Sequence, residues 1–168
     1  MPLQKLHHVA YRCKDAQATH DFYTQALGLK YAMAIAEDNV PSTGERSPYF
    51  HLFFEMADGS YIAFFEVPES PPMGKDPNTP AWVQHLALEV EDEAAVLAGK
   101  ARLEDHGVEV LGPVDHGICK SIYFFDPSGH RLELTARTAT PAMDAANEKA
   151  AAPMLADWTA RKRREGWA

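Results

Sequence analysis

The chain contains two similar halves, and this repeat constrains the fold more than any other feature of the sequence. The segment HHVAYRCKD, which begins at His7, returns as QHLALEVED at Gln84, so that His8 aligns with His85. Self-similarity over half a chain indicates two copies of one supersecondary unit that build a core together. We therefore predict a fold made of two similar modules.

Each half is expected to fold as one strand, one helix and three further strands. Asp15 and Asp92 occupy matching positions, where each can cap the N-terminus of the helix that follows. The last two strands of each half flank turns of the Asp-Gly and Asp-Pro-x-Gly types, which favour hairpins. The helices are predicted over residues 16–27 and 92–107, and a short extended piece is predicted after each, over 30–34 and 108–111.

The sequence predicts the α+β class, with two tandem βαβββ modules that form a curled, cup-like mixed sheet and a C-terminal helical tail. A single domain is expected over residues 1–168. It comprises module one (4–67), a proline-rich linker (68–80), module two (81–137) and the tail (138–168). The alanine-rich tail predicts one or two helices broken near Pro153. Three apolar residues of the tail are expected to pack on the body or on a second subunit: Met154, Leu155 and Trp158.

The composition narrows the range of partners and compartments. The net charge of −8 argues against non-specific binding to nucleic acid or to an anionic membrane. The N-terminal segment MPLQKLHHVAYR has no long apolar run, so neither a signal peptide nor a membrane span is predicted. With only Cys13 and Cys119, the chain is not a disulfide scaffold, and we expect a cytoplasmic protein with free thiols.

Two histidines and a glutamate form a candidate metal site. Alternate residues of a strand share a face, so His8 and His85 would face each other if the modules packed with pseudo-twofold symmetry. Glu133, within RLELT of the last strand, is costly to bury unless it is paired or bound to a metal. Two imidazoles and one carboxylate form the ligand set of Fe(II) oxygenases. The alternative is that all three are ordinary strand residues, but the symmetric histidines favour a metal site.

The repeat, the two histidines and the segment DPSGHRLEL together resemble the vicinal-oxygen-chelate superfamily. That superfamily includes glyoxalase I, methylmalonyl-CoA epimerase, fosfomycin and bleomycin resistance proteins, and type I extradiol dioxygenases. The resemblance covers roughly residues 4–137 and leaves the tail unexplained. It implies paired modules whose sheets curl into a metal-holding cup, with His8, His85 and Glu133 at three of the ligand positions.

The fourth ligand position separates branches of this superfamily. Glyoxalase I carries four ligands, but the residue of module one that corresponds to Glu133 is Ala63, which cannot bind a metal. Glu66 lies nearby at an odd spacing and should face the other way unless a bulge intervenes. A site with three ligands is more similar to that of the extradiol dioxygenases.

The segment from Val114 to Glu133 is also similar to the extradiol dioxygenase signature. This resemblance implies that His116 and Tyr123 assist catalysis, while the alternative is a loop histidine and a core aromatic residue. One departure counts against the activity, because Ser60 stands where those enzymes usually carry an acid–base histidine and serine is a poor proton acceptor. His51, on the adjoining strand, is the candidate substitute.

The resemblance implies a metal-dependent enzyme acting on a small molecule with vicinal oxygens, with an extradiol-type ring-cleaving dioxygenase as the leading interpretation. O2 would be the second substrate and Fe(II) the expected divalent metal, with Mn, Zn or Ni as alternatives. Two other functions stay open. One is a glyoxalase-like lyase or epimerase in which Glu66 supplies the missing carboxylate, and the other is a binding protein without turnover, like the resistance proteins.

The remaining expectations concern the pocket and the oligomeric state. The substrate pocket is expected to be lined by Tyr61, Phe53, Phe65, Arg12 and Arg131. The two arginines can bind an anionic ligand, or they can pair with Glu89 or Glu133. We also expect a homodimer, with Trp158 and Trp167 of the tail at its interface.

Overall fold

The computed structural model describes residues 1–74 and 76–167, so Lys75 in the predicted linker and Ala168 in the predicted tail lie outside the described residues. Within those ranges the chain forms eight strands and three helices. The strands are β1 (His8–Arg12), β2 (Lys30–Asn39), β3 (Arg46–Glu55), β4 (Tyr61–Glu66), β5 (Leu86–Val90), β6 (Leu111–Asp115), β7 (Cys119–Phe125) and β8 (Arg131–Arg137), and the helices are α1 (Ala16–Asp21), α2 (Glu93–Asp105) and α3 (Pro141–Glu165).

The strands form two separate four-stranded mixed sheets, one in each module. The strand order is β1-β4-β3-β2 in the first sheet and β5-β8-β7-β6 in the second. β1 is parallel to β4 and β5 is parallel to β8, whereas the other neighbours are antiparallel. The two sheets have the same topology, and this confirms the predicted α+β fold of two βαβββ modules.

The helices of the two modules begin at the predicted caps. The carboxylate of Asp15 accepts a hydrogen bond from the backbone N–H of Ala18 at 2.7 Å, and Asp92 accepts one from Ala95 at 2.8 Å. Each bond satisfies a backbone donor that the first helical turn leaves free. α1 continues as a π-helical turn over Phe22–Ala26, which keeps this first helical region close to its predicted length.

The strands of each module have two different faces. In β8, Leu132, Leu134 and Ala136 are buried in the hydrophobic core beneath the helices, and we call this side of each sheet the helical face. The alternate residues Arg131 and Glu133 lie on the other side, which we call the open face. Side chains alternate along a strand, so the predicted site residues of each strand share one face.

The two modules pack against each other on their helical faces. One continuous core contains residues of both modules, and the rings of Phe22 and Phe124 meet across it at 6.3 Å. The hydroxyl of Tyr23 donates to Asp126 at 3.2 Å, which adds a buried polar link between the modules. The buried open-face residue Phe53 is not part of this shared core. The open faces are therefore not used to join the two modules of one chain.

Two strand boundaries differ from the prediction for identifiable reasons. Residues 108–110 are not in a strand, because the N–H of Val108 bonds to the carbonyl of Leu103 at the end of α2. The strand of that region therefore begins at Leu111. β2 is longer than predicted, since it stays paired with β3 as far as Asn39 and Arg46.

The tail forms one continuous helix, so the prediction of helices broken near Pro153 was wrong. An interior proline removes one backbone hydrogen bond and crowds the carbonyl four residues earlier, at a cost of about 3 kcal/mol, yet the alanines around Pro153 are strong helix formers and the helix continues through it. No described residue of α3 is buried, and Met154, Leu155 and Trp158 are all exposed, so they do not pack on the body of the same chain. Among the described helices, none has both the length and the apolarity that crossing a bilayer requires.

Candidate functional site

The open face of module two brings a histidine and a glutamate together. Glu133 in β8 is paired with Ala87 of β5 on one side and with Tyr123 of β7 on the other. His85 lies just before β5, and its Nε2 atom is 3.0 Å from Oε2 of Glu133. The Glu133 residue is only 5% exposed, whereas the His85 side chain is 33% exposed. A buried carboxylate thus meets an imidazole that solvent can reach.

The tautomer of His85 decides what can lie between these two atoms. Nδ1 of His85 is 3.1 Å from the carbonyl oxygen of Val83, which can only accept, so Nδ1 carries the proton. Neutral imidazole has one ring proton, and Nε2 therefore presents a lone pair toward the carboxylate of Glu133. Two lone pairs at this distance repel each other. A cation, either a proton or a metal ion, is required between them.

The spacing fits a metal ion. The oxygen ligands of an octahedral divalent ion such as Mg²⁺ lie about 2.1 Å from it, so neighbouring ligand atoms are separated by about 3.0 Å, which is also an ordinary hydrogen-bonding distance. The His85–Glu133 pair has this separation. A metal-binding histidine commonly donates its other ring N–H to a carbonyl or a carboxylate, which is what His85 does with Val83. The donor set of module two thus fits two ligands of the predicted metal.

Two further predicted site residues, His116 and Tyr123, form a hydrogen-bonded pair beside the glutamate. Nε2 of His116 and the hydroxyl of Tyr123 are 2.7 Å apart. Tyr123 also lies edge-on to His85, with 6.1 Å between the ring centroids. Burial raises the pKa of Tyr123 above its ordinary value, and the negative charge of Glu133 adds to the effect. The phenol therefore stays protonated at neutral pH and can donate its proton.

Arg131 completes the open face of module two. Its guanidinium carbon lies 4.2 Å from the centroid of the Tyr123 ring, and Nη1 donates to the carbonyl oxygen of Trp82. In the described part of the chain, Arg131 forms an ion pair neither with Glu89 nor with Glu133. The ion pair that was the alternative role for Arg131 is thus not formed. Most of its five guanidinium N–H donors stay available to a ligand.

The open face of module one carries His8 and His51 among aromatic rings. The ring of His8 lies 6.0 Å from Phe53, and its Nδ1 is 2.7 Å from Nδ1 of His7. His51 stacks on Phe65 with 3.5 Å between centroids, and its Nδ1 donates to the carbonyl of Phe64 at 2.9 Å. Burial lowers the pKa of His51, so its ring is neutral at neutral pH and Nε2 is a free acceptor.

Three other predicted site residues are held in specific contacts. Glu66 lies opposite Phe50 in regular β3–β4 pairing, and its carboxylate accepts from the N–H of Ala16 at 3.0 Å, away from the open face. The hydroxyl of Ser60 donates to Asp58 at 2.6 Å. Arg12 reaches the carbonyl of Ser70 at 3.5 Å, and its Nε atom is buried without a hydrogen-bond partner.

One chain assembles only part of the predicted site. Module two brings His85, Glu133, Tyr123, His116 and Arg131 together, whereas Tyr61, Phe53 and Phe65 lie in module one with His8. Over residues 1–74 and 76–167, no group of three His, Cys, Asp or Glu side chains converges as metal ligands would. The shared core joins the modules on their helical faces, so it does not bring the open face with His8 against the open face with His85 and Glu133. The three-ligand metal site therefore stays a prediction.

Sequence reasoning missed two groups that contact the candidate ligands. The carbonyl of Val83 sets the tautomer of His85, and sequence alone carries no signal for a backbone contact of this kind. Strand alternation would turn His7 to the face opposite that of His8. It lies before the first residue of β1 and is free of that alternation, so its ring can reach His8.

The chain resembles known proteins over most of its length. A profile of the family described as the glyoxalase/bleomycin resistance protein/dioxygenase superfamily matches residues 5–134. Metapyrocatechase from Pseudomonas sp. (strain CF600) is 31% identical over 124 residues, which make up 71% of this chain and 35% of that protein. The chain thus spans about a third of the length of this relative. The helix α3 lies beyond the matched residues.

Solved structures of low sequence identity share the fold. A glyoxylase/bleomycin resistance protein/dioxygenase domain from Frankia sp. EAN1pec is 18% identical, with a TM-score of 0.67 over 81% of this chain and 99% of that one. A fosfomycin resistance protein from Listeria monocytogenes is 21% identical, with a TM-score of 0.59 over 86% of this chain and 99% of that one. That protein was solved as a mutant with Mn(II) and dihydroxypropylphosphonic acid. At these identities the likeness concerns the fold alone.

Proposed function

Since the chain belongs to the glyoxalase/bleomycin resistance protein/dioxygenase superfamily, we propose that it is a divalent-metal-dependent enzyme that cleaves the ring of a catechol-like substrate with O2. Both atoms of O2 enter the product and the carbon–carbon bond beside the two hydroxyls breaks, so no external reductant is consumed. The observation that carries this proposal is the His85–Glu133 pair, in which a buried carboxylate lies 3.0 Å from Nε2 of an imidazole whose Nδ1 faces a carbonyl oxygen. The metapyrocatechase relative supports the reaction class.

The proposed metal ligands are His85 and Glu133 of one copy and His8 of a second copy. The modules of one chain are joined by their helical faces, and no three candidate ligands converge over residues 1–74 and 76–167, so we assign the third ligand to a second copy. A twofold dimer can set module one of each copy against module two of the other. The exposed open-face positions Ala10 and Ala87 leave room for such an approach. This arrangement would make two identical sites at one interface.

The residues around the proposed metal have separate tasks. A bound divalent metal supplies Lewis acidity and a common point of attachment for two reactants. The protonated hydroxyl of Tyr123 can donate its proton to a substrate oxygen, and His116 can then return a proton from solvent to the phenolate that is left. The rings of Phe53 and Tyr61 can stack on an aromatic substrate from the module-one side. Binding, orientation and proton transfer are thus divided between the two modules.

The lyase or epimerase alternative lacks support from the residues of module one. A fourth carboxylate ligand would have to come from the position of Ala63 or from Glu66. Ala63 is fully buried and has no ligating atom, and Glu66 caps α1 from the opposite side of the sheet. Without a fourth carboxylate, the proposed metal has three protein ligands. Such a set keeps coordination positions on the metal open for two reactants.

We propose that His51 takes the role of the acid–base histidine that Ser60 cannot fill. The change His51→Phe keeps the stack on Phe65 and removes the free Nε2 acceptor. We expect kcat to fall by about 100-fold or more while the metal content stays unchanged, as for the loss of a general base. Steady-state oxygen uptake and metal analysis check this result, with His106→Phe on the exposed end of α2 as the matched control. Unchanged kcat would remove His51 from the mechanism.

We propose that Arg131 favours substrates that carry a carboxylate beside the two hydroxyls. Its guanidinium has free donors and no carboxylate partner, and it lies against the catalytic Tyr123. The change Arg131→Gln should raise KM for a carboxylated catechol by about 10-fold or more, the equivalent of one charge-assisted bond, with less effect for catechol itself. Arg137→Gln, which breaks a surface pair with Asp144, is the control. An equal effect on both substrates would contradict this role.

The test of the proposed function is metal analysis followed by oxygen uptake. The protein is purified without oxygen, its metal content is measured, and uptake is recorded with a panel of catechols before and after chelation. We expect iron or manganese and metal-dependent uptake. Bound metal without uptake would favour a lyase or isomerase instead. Absence of metal binding under all conditions would overturn the metal site and leave a binding protein.

A further inference from the structure

The rings of His7 and His8 meet through the same type of atom. Nδ1 of His7 and Nδ1 of His8 are 2.7 Å apart, which is hydrogen-bonding distance. Neither ring nitrogen can be a donor unless it carries a proton, so one ring donates and the other accepts. The bond therefore couples the tautomers of the two rings: whichever ring holds its proton on Nδ1 forces the other to leave its Nδ1 bare.

We infer that His7 is a positioning residue that holds His8 in the tautomer with the proton on Nδ1. In this arrangement His8 donates to His7, and Nε2 of His8 keeps its lone pair free to bind a metal. The opposite arrangement would protonate Nε2 of His8 and block it. The inference rests on the proposed function for its purpose, because His8 needs a free Nε2 only if it is a ligand.

The two proposed histidine ligands would then be oriented in parallel ways by different groups. His85 donates from Nδ1 to the carbonyl of Val83, and His8 donates from Nδ1 to the ring of His7. Contacts of this kind fix both ring orientation and tautomer in metal-binding histidines. The backbone of His7 is itself held, since its carbonyl accepts from the N–H of Tyr61 at 3.1 Å. A side chain in module one thus does what a carbonyl does in module two.

The first test reads the tautomer directly and needs no metal. Long-range ¹H–¹⁵N correlation spectra of the full-length, metal-free protein distinguish the two protonation patterns of His8. We expect the Nδ1–H form in the wild type and a shift toward the Nε2–H form in His7→Phe. His7→Asp offers a carboxylate acceptor and should retain the Nδ1–H form. The same tautomer of His8 in wild type and His7→Phe would overturn the inference.

The second test measures the affinity for Mn²⁺ by titration calorimetry. Loss of such an orienting partner typically weakens metal binding by about 10–100-fold, and we expect this for His7→Phe. His7→Asp should bind within a few-fold of the wild type, and His106→Phe is the control for removing a histidine elsewhere. A merely structural role for His7 would not be rescued by aspartate, because the two side chains differ in shape and share only an acceptor.

The two tests separate failure of this inference from failure of the proposed function. If Mn²⁺ binding is absent, or His8→Ala leaves it unchanged, the proposed metal site fails, while the spectra still decide whether His7 sets the tautomer of His8. If His8→Ala abolishes binding but His7→Phe binds Mn²⁺ like the wild type, the metal site stands and the role of His7 is overturned.

Discussion

Replacement of His85 by alanine is expected to abolish tight metal binding. Nε2 of His85 lies 3.0 Å from the buried carboxylate of Glu133, and over residues 1–74 and 76–167 no group of three His, Cys, Asp or Glu side chains offers another metal site. Loss of an orienting partner alone costs about 10–100-fold in affinity, so loss of a direct ligand should cost more than about 100-fold. The metal content of protein purified without oxygen measures this effect, and oxygen uptake should disappear with the metal.

The controls for His85→Ala separate a lost ligand from a damaged fold. His106→Ala removes an exposed histidine after α2 and should keep both metal and activity. Glu133→Gln preserves the shape of the side chain and removes its charge, so it should lose the metal without leaving a cavity. A His85→Ala protein that retains its metal at the wild-type level would show that the ion binds elsewhere and that the site is misassigned.

A mixture of two inactive variants is expected to recover activity. His8→Ala damages module one and His85→Ala damages module two. If each site combines module one of one copy with module two of the other, a mixed dimer contains one intact site and one site with both defects. Random exchange makes half of the dimers mixed, so the mixture should regain about a quarter of the wild-type activity.

Two comparisons make the mixing experiment decisive. A mixture of His85→Ala with Glu133→Ala carries both defects in module two, so no dimer has an intact site and no activity should return. Subunit exchange is verified with a mass tag on one variant. Full exchange without recovery in the first mixture would contradict a site shared between copies, and it would require His8 to act within its own chain or not at all.

Much of the fold follows from local patterns in the sequence. The internal repeat predicted two modules of the same topology, and both capping aspartates, Asp15 and Asp92, begin helices as expected. The alternation of RLELT predicted the split between a leucine face and a face with Glu133. His116 and Tyr123, which share one short segment, form a hydrogen bond, and their catalytic role stays a prediction. These features depend on residues that are near one another in the chain, so the order of residue types along the sequence is enough to predict them.

Other features depend on contacts between distant parts of the chain and were decided by tertiary structure. The sequence suggested that His8 and His85 would face each other. Which faces of the two modules meet is decided by packing in the core, where Tyr23 of module one and Phe124 of module two join the helical faces. The proline in α3 was expected to break the helix, yet the helix runs from Pro141 to Glu165 through Pro153, supported by the strong helix formers around it.

The chemistry of the site divides in the same way. The sequence by itself determined which residue types stand on each strand face, because alternation is a property of the strand alone. Only the tertiary structure decided their protonation and availability. The N–H of Ala16, 50 positions earlier in the chain, occupies Glu66, and burial in the sheet beside Phe65 lowers the pKa of His51. The physical reason is that a hydrogen bond depends on the distance between two atoms in space, which is about 3 Å. Residues that lie this close in the fold can be far apart along the chain, so the sequence alone does not reveal the bond.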